Sequence, residues 1–541
     1  VEDKDLELLK EFGMENPPIQ CPTCRHLQRG VFFPRIKMHR RKSSLSGENI
    51  LSIYGPDCKA PVYSIQEWWS DKWDATRYGR DIDFSKPFFR QFAELYDAVP
   101  RMANKNQNTV NCDYTYSCGN SKNVYYSETV FTSEDVYYSA AITGKNDMVF
   151  DCLRCFQCSN IHDCVLSTNC TSSSYLFRCN TTSDSHFCID CRGCTDCLFS
   201  SNLRNKSLHV FNKPVTRAEF EAIKARVLDG KHSTLQKSLE EWKKVHLKAI
   251  WRSTYMESYD DCTGDSLQQC AHCHECYDCI NCIDDRYCWS LTPGDKNVRC
   301  MDLTSGGIGE LMYNSVGLGG VGNYFLRMCA HCRQSSELTY CIDCYICKNC
   351  FGCAGLKNRQ HCIFNKQYSK EEYDALVLKL IEHMKKTGEW GEFFPVTLSA
   401  FAYNSSISAH YQPMPKDEVL RRNWRWADIP EESLEGRELG KDVPDDIGDV
   451  SEEQGAGVLT CQATGKKFKV LPQELAFYRR TKTPLPRQHP DVRMERRRAM
   501  LNPHRLWDRQ CTNCRKGVRS SYAPDRPEII YCEDCYMKAV Y

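Results

Sequence analysis

Twenty-five of the 36 cysteines in this 541-residue chain fall into three runs, Cys152–Cys197, Cys270–Cys300 and Cys329–Cys362, and every spacing inside a run is a multiple of three. Twenty-eight lie between Cys112 and Cys362. A thiol field of this size serves metal binding, disulfides or a repeated core. The spacing narrows the backbone. Residues three apart on one strand point to opposite faces, and steps of three drift around a helix. Short β segments broken by tight corners would instead let the cysteines stack in columns, with 12, 18 or 24 residues per coil all compatible with the count. A shorter period of about 12 shows in Asn123-Val-Tyr-Tyr-Ser127, Asp135-Val-Tyr-Tyr-Ser139 and Asp147-Met-Val-Phe150. Such periods mark stacked repeats, and the abundance of Tyr, Val, Thr and Ser favours strand over helix.

The field is also duplicated. Cys188-Ile-Asp-Cys191-x-x-Cys194-x-x-Cys197, ending in Leu203-Arg-Asn-Lys-x-x-x-Val-Phe-Asn-Lys213, recurs as Cys341-Ile-Asp-Cys344-x-x-Cys347-x-x-Cys350, ending in Leu356-Lys-Asn-Arg-x-x-x-Ile-Phe-Asn-Lys366. Each copy runs into a capping-box signal, Thr216-Arg-Ala-Glu219 or Ser369-Lys-Glu-Glu372, so the unit is a cysteine-rich segment with a closing helix. Between the copies Ser200 stands for Cys353 and His209 for Cys362, so those two positions do not require a thiol. The Gly-rich stretch Gly306–Gly322 breaks the second lattice and reads as an irregular loop.

Three chemistries compete for the central thiols. An iron–sulfur cluster is disfavoured, because the ferredoxin spacing and its trailing Pro are absent. Zn2+ suits thiolate pairs at CxxC spacing, with Cys188, Cys191, Cys341 and Cys344 as candidate ligands. Packing of free thiols as small hydrophobes is the competing reading, and the sequence leaves the two open.

The ends carry ribbons. Cys511-x-x-Cys514 and Cys532-x-x-Cys535 form two knuckles seventeen residues apart, the pattern of a closed four-thiolate site that folds the chain rather than catalyses. Ser520-Ser-Tyr-Ala-Pro-Asp525 matches Ser52-Ile-Tyr-Gly-Pro-Asp57 at an offset of 468, which sets Ser43, Ser46, Ser64 and Glu67 against the four cysteines. The N-terminal ribbon is therefore expected to be the same module without its metal. Cys21 and Cys24 are further candidate ligands, with His26, His39 or Cys58 available to complete a site. Cys461-Gln-Ala-Thr-Gly-Lys466 resembles a third ribbon opening, with His489 as a weaker partner. Several Zn2+ ions follow from this reading.

Overall charge is close to balanced, 71 basic against 70 acidic residues, so any nucleic-acid affinity must be local. Arg479 to Arg519 holds 13 Lys or Arg against three acids, and Arg25 to Lys42 holds seven against none. Such stretches suit phosphate backbones, with Arg496, Arg497, Arg498 and Arg515 as contacts and Trp507 or Tyr522 free to stack on bases. No GxSxG, HExxH or GxxxxGK[ST] motif occurs. Asp260, Asp261 and Glu275 are the acid–base groups of a rival reading, an enzyme acting on a polymer; a self-assembling structural protein is a third. No apolar run of 18 residues or signal-like start is present, which points to a soluble, cytoplasmic protein without a membrane partner.

Across nearly its full length the chain resembles a family of uncharacterised cysteine-rich zinc-ribbon proteins of small-genome uncultivated bacteria. The residues that carry the resemblance are Cys21-Pro-Thr-Cys-Arg25, Trp68-Trp-Ser-Asp-Lys-Trp73, Phe364-Asn-Lys-Gln-Tyr-Ser-Lys-Glu-Glu-Tyr373, Glu389-Trp-Gly-Glu-Phe-Phe394 and Tyr522-Ala-Pro-Asp-Arg-Pro-Glu-Ile-Ile-Tyr531. The resemblance implies zinc ribbons and no particular activity; its usual Cys is replaced here by Ser43.

The expected fold is mainly β with short helices: a duplicated Cys-rich β-solenoid-like core flanked by zinc-ribbon modules. The segments are an N-terminal ribbon-like module with a helical layer (1–104), the first repeat unit (105–230), a connecting helix (231–258), the second repeat unit (259–390), an acidic extended linker (391–455) and a basic C-terminal ribbon domain (456–541). The expected role is a non-enzymatic, zinc-stabilised scaffold whose basic ribbons bind RNA, on a ribosome or other ribonucleoprotein.

Overall fold

The computed structural model describes residues 2–143, 149–150, 162–166, 171–289, 296–304, 306–317, 321–428, 434, 438–440, 442–455 and 457–541. Asp147, Cys152, Cys155, Cys158 and Cys170 lie outside them. Many strands and 13 helices are present among the described residues, and two of those helices, His232–Lys248 and Lys370–Thr387, are longer than the short helices expected. They form two compact units that are discontinuous in sequence: Val1–Asn106 with Tyr114–Ser117 and Thr254–Ala427, and Gln107–Asp113 with Cys118–Ser253 and Asp428–Tyr541. The second cysteine-rich copy thus shares a unit with the N-terminal module, and the first copy with the C-terminal ribbon.

Both copies are parallel ladders with a twelve-residue period. His186 bridges Ser174 and Leu198, and Ile189 bridges Phe177 and Ser201; in the other unit Leu338 pairs with Cys350 and Cys350 with Cys362. Each twelve is four triplets of an inward residue, a bridged residue and a residue in the left-handed region. In Cys188-Ile189-Asp190, Asp190 has φ 48°, and Phe187, Gly193 and Asp196 occupy the same position in adjacent triplets. Left-handed backbone is costly for most side chains and least so for Asn and Asp, which explains the many Asn-Cys and Asp-Cys pairs. The corner lets consecutive amides point opposite ways: Ile189 N donates to Ser200 O at 2.9 Å and Asp190 N to Phe177 O at 2.8 Å. Backbone groups are satisfied although most strands are only two to four residues long.

The described cysteines of the ladders occupy the inward positions. Cys188, Cys191, Cys341 and Cys344 are each fully buried. Their Sγ atoms donate weakly to the carbonyl two residues back and to one nine residues on, as in Cys188 to His186 O and Cys197 O, both 3.4 Å. A hydroxyl fits the same niche. Ser200 accepts from Asn212 N at 3.1 Å as Cys353 accepts from Asn365 N at 3.4 Å, which is why that position tolerates the exchange. Outward columns pair likewise: the rings of Tyr175, Phe187, Phe199 and Phe211 stack at 4.8, 5.0 and 5.0 Å.

Extra residues are absorbed within the ladder. Val316 bridges Ala330, fourteen on, and Ile283 bridges Val298, fifteen on. The Gly-rich stretch read as an irregular loop instead supplies strand Ile308–Tyr313 and the start of strand Val321–Arg327, paired with each other in parallel. A two-residue excess is all that the lattice must accommodate there.

Each ladder is closed at its C-terminal end by an antiparallel return, Ser207–Val210 with Lys213–Pro214 and Gln360–Ile363 with Lys366–Gln367. The amides of Asn212 and Asn365 pair with the backbones of Ser201 and Ala354, covering edge groups that would otherwise recruit another strand. The closing helices Arg217–Val227 and Lys370–Thr387 both start at the expected capping boxes.

The first part of the segment read as a linker, residues 391–428, is not extended. It carries helices Ser408–Tyr411 and Lys416–Arg421, and Phe393, Phe394, Phe401, Tyr403 and Val419 are buried. The aromatic layer of the N-terminal module also packs onto its ladder: Phe88 lies 5.2, 5.6 and 5.3 Å from the rings of Tyr340, Phe351 and Phe364.

Candidate metal centre and its two relatives

Strands Trp507–Gln510 and Gly517–Ser520 form an antiparallel hairpin whose connection is a knuckle. Cys511 N donates to Lys516 O and Arg515 N to Cys511 O, each at 2.9 Å, with Arg515 in the left-handed region at φ 64°. Strand Ile529–Tyr531 leads into helix Glu533–Val540, and Cys532 occupies the position before that helix. Thr512 N reaches Ile530 O at 2.7 Å and brings the two knuckles together. The sulfurs of Cys511, Cys514, Cys532 and Cys535 lie within 4.8 Å of one another, and those of Cys514 and Cys532 are 3.7 Å apart. A tetrahedron with metal–sulfur bonds of 2.3 Å has edges of roughly 3.8 Å, so the donor set fits a metal ion. Burial opposes thiolate formation at Cys511, but the amides of Cys514, Cys532 and Asn513 bring its pKa down to about 6. Among the described residues this is the one group of three or more donors in such an arrangement.

The connecting segment 231–258 contributes to this ribbon, which its sequence did not reveal. Strand Ile250–Arg252 pairs in parallel with Ile529–Tyr531, and Arg252 Nη2 binds Glu533 Oε2 at 2.6 Å. Trp251 lies against Tyr522, centroids 5.9 Å apart, and both are buried. Tyr522 is therefore a core residue and not a free stacking platform.

The N-terminal ribbon repeats these elements at the 468 offset. Strands His39–Lys42 and Asn49–Ser52 form the hairpin, and Ser64 caps helix Ile65–Trp69. Ser43 N donates to Glu48 O at 2.8 Å, Gly47 N to Ser43 O at 3.0 Å, and Ser44 N to Val62 O at 2.8 Å. Where the other ribbon gathers sulfurs, Glu67 Oε2 accepts from Ser43 Oγ at 2.5 Å and from Ser64 N at 2.8 Å. Burial works against its charge, yet the hydroxyls of Ser43 and Ser46 and the Ser64 amide hold the Glu67 carboxyl down to about 2.

A third copy opens at Cys461. Strands Val458–Thr460 and Lys467–Lys469 pair antiparallel, Cys461 N donates to Lys466 O at 2.8 Å, and Gln462 N reaches Arg487 O at 3.0 Å. That register sets Thr464, His489 and Val492 where the metal ribbon has Cys514, Cys532 and Cys535. Cys461 is buried, a cost to its thiolate that the His489 and Thr464 amides outweigh, lowering its pKa.

The remaining candidates are distributed differently. Cys21 and Cys24 sit together at the start of helix Pro22–Gly30, with Cys24 N donating to Cys21 Sγ at 3.4 Å. His26 does not complete a site with them, because its ring stacks on Trp289 at 3.5 Å and bonds to Thr304 Oγ1 and Tyr287 O. Cys58 contacts Ala60 O and Arg101 instead. Among the described residues Cys188, Cys191, Cys341 and Cys344 contribute to no comparable donor group; their sulfurs engage carbonyls as described above.

The arginine run requires correction. Arg497 is fully buried, and it and Arg496 both pair with Asp163 on the ladder, while Arg498 binds Glu128 at 3.3 Å. Burial raises the cost of charge at Asp163, and Arg496 and Arg497 overcome it, taking its carboxyl down to about 2. The N-terminal helix uses the same device: Arg25 binds Asp302, 2.5 Å, with both side chains buried, and Arg29 is fully buried beside Thr304 and Asn314. Arg25, Arg496 and Arg497 fasten their helices to the left-handed corners at Asp302 and Asp163, and the buried Arg497 is unavailable as a phosphate contact, whereas Arg496 keeps an exposed side chain. Arg515, by contrast, is exposed together with Lys516 and Arg519.

The carboxylates of the enzyme reading have separate partners. Asp260 faces His272 at 3.7 Å, Asp261 faces Lys4 at 3.8 Å, and Glu275 accepts from Tyr277 at 2.9 Å. No helix among the described residues is long and apolar enough to cross a membrane.

No family model matches the chain, and no curated protein matches it. A solved structure described as an acetyltransferase from Desulfovibrio desulfuricans G20 aligns over 50% of this chain and 69% of its own at 10% identity, with a TM-score of 0.11, a likeness too slight to inform fold or function.

Proposed function

We propose that this is a non-enzymatic binding protein in which two stacks of twelve-residue coils, each a short β-solenoid, support ribbons that contact RNA. The carrying observation is the exposed basic tip of the four-cysteine ribbon, Arg515, Lys516 and Arg519 beside the sulfurs. Zn2+ is the metal the four-thiolate set suits best. It would be structural, since four protein ligands leave no position for substrate. Arg515 and Lys516 have no carboxylate partner among the described residues, so both remain available to phosphates, in keeping with a cytoplasmic ribonucleoprotein component and with the zinc-ribbon family the chain resembles. The separate partners of Asp260, Asp261 and Glu275 favour this reading over polymer hydrolysis.

Fluorescence anisotropy with a single-stranded RNA across a salt series tests the proposal. Tighter binding at low salt is expected, with Arg515→Ala/Lys516→Ala lowering the salt slope by about 2. Absence of binding at low salt, or an unchanged slope in the double variant, would reject it.

A further inference from the structure

A cavity of about 410 Å³ opens inside the unit built from the first ladder and the C-terminal segment. Its walls come from ladder residues 172–186, the end of helix Arg217–Val227, the segment leading into helix His232–Lys248, and the turn after helix Pro472–Arg480. Lys224, Lys231, Arg480 and Lys482 line it against a single carboxylate, Asp184. Lys224, Lys231 and Lys482 have no ion-pair partner among the described residues, unlike the arginines that fasten helices elsewhere. Uncompensated positive charge around a concavity calls for an anion.

His186 adds a more specific signal. It is 7% exposed and lines the same cavity, its Nδ1 lies 2.7 Å from Ser174 Oγ, and its Nε2 has no partner among the described residues. A buried polar atom without a partner costs free energy unless something binds it. Burial and the nearby Lys224 push this imidazole down to about 3, so it stays neutral at physiological pH and offers one open hydrogen-bonding atom. Tyr175, Leu228, Leu235 and Phe477 supply apolar wall, and the volume falls within the range of small-molecule sites and far exceeds a bare phosphate ion.

We propose that this cavity binds a phosphate monoester of a small organic molecule, its phosphate held by Lys224, Lys231 and Lys482 and its organic part lying against Tyr175 and Phe477. This site is separate from the ribbon tip and does not depend on RNA binding there.

Calorimetric titration of the full chain with AMP and with phenyl phosphate, alongside adenosine and phenol, tests the proposal. At least one ester is expected to bind more than tenfold tighter than its dephosphorylated counterpart. Lys224→Ala/Lys482→Ala should weaken that ester about tenfold or more, Lys224→Arg/Lys482→Arg should retain most of it, and Lys237→Ala, outside the cavity, should leave it unchanged. Circular dichroism identifies a variant that fails to fold, in which case the arginine pair and the wild-type preference decide. Failure of both esters to bind at about 10 mM, or binding that ignores the lysine substitutions, would overturn the assignment.

Discussion

The ribbons at residues 507–540 and 39–69 share strand boundaries and knuckle hydrogen bonds, yet one gathers four sulfurs and the other centres on a carboxylate. In the first, a metal held by the four thiolates would tie the hairpin to the following helix. In the second, Glu67 reaches back from its helix to Ser43 and to the Ser64 amide, so the chain supplies its own tie. The ribbon at Cys461 is intermediate, retaining one thiol and a histidine at matched positions. The knuckle fold is set by backbone: a left-handed turn residue, an amide to the far side of the turn and an amide to the second knuckle recur in all three. The centre is interchangeable so long as buried donors and acceptors are matched.

The largest difference between the two ribbons is expected on metal removal. Chelation of the purified protein, or Cys532→Ala, is expected to unfold the C-terminal ribbon locally, because structural zinc contributes on the order of 10 kcal/mol to small sites. Elemental analysis should register one metal lost, and the N-terminal ribbon should stay protected from proteolysis. Retention of metal by Cys532→Ala would contradict the four-sulfur assignment.

A second break separates the ribbon from its support. Arg497→Ala leaves Asp163 buried with Arg496 as its remaining arginine, and loss of one member of a buried pair costs about 3–5 kcal/mol. Urea denaturation should reveal it as a lower midpoint. An exposed, phosphate-binding Arg497 would instead lower RNA affinity and leave the midpoint in place.

The smallest effect lies at Glu67. Glu67→Ala removes the acceptor for Ser43 and the Ser64 amide and is expected to cost about 1–3 kcal/mol, read in the same denaturation experiment. Its pH dependence has a definite sign. The folded carboxyl is held near 2, below its ordinary value of 4.5, so its contribution is complete above about 4.5 and is lost as pH falls toward 2. In Glu67→Gln that acid-dependent loss should shrink. An unchanged acid profile would mean that Glu67 does not hold the knuckles.

Features set by local spacing were the most legible in the sequence. The two CxxC pairs, the 468-residue offset and both capping boxes rest on residues a few positions apart, and the structure places each accordingly. Coil length was ambiguous because any multiple of three preserves the cysteine spacing. The informative signal was the residue before the thiol, where Asp190, Asp278, Asn281, Asp343 and Asn349 all mark left-handed corners. Long-range pairing was hidden. Nothing near Arg497 indicates that Asp163 will bury it, and nothing near Tyr522 indicates Trp251. The basic run therefore read as a phosphate surface when part of it is a fastening.

Hydrogen-exchange mass spectrometry of the same protein before and after chelation tests most directly the claim that one ribbon needs a metal and its relative does not. Peptides spanning residues 507–540 are expected to lose protection on metal removal while those spanning 39–69 keep theirs. Loss of protection in both, or in neither, would contradict it.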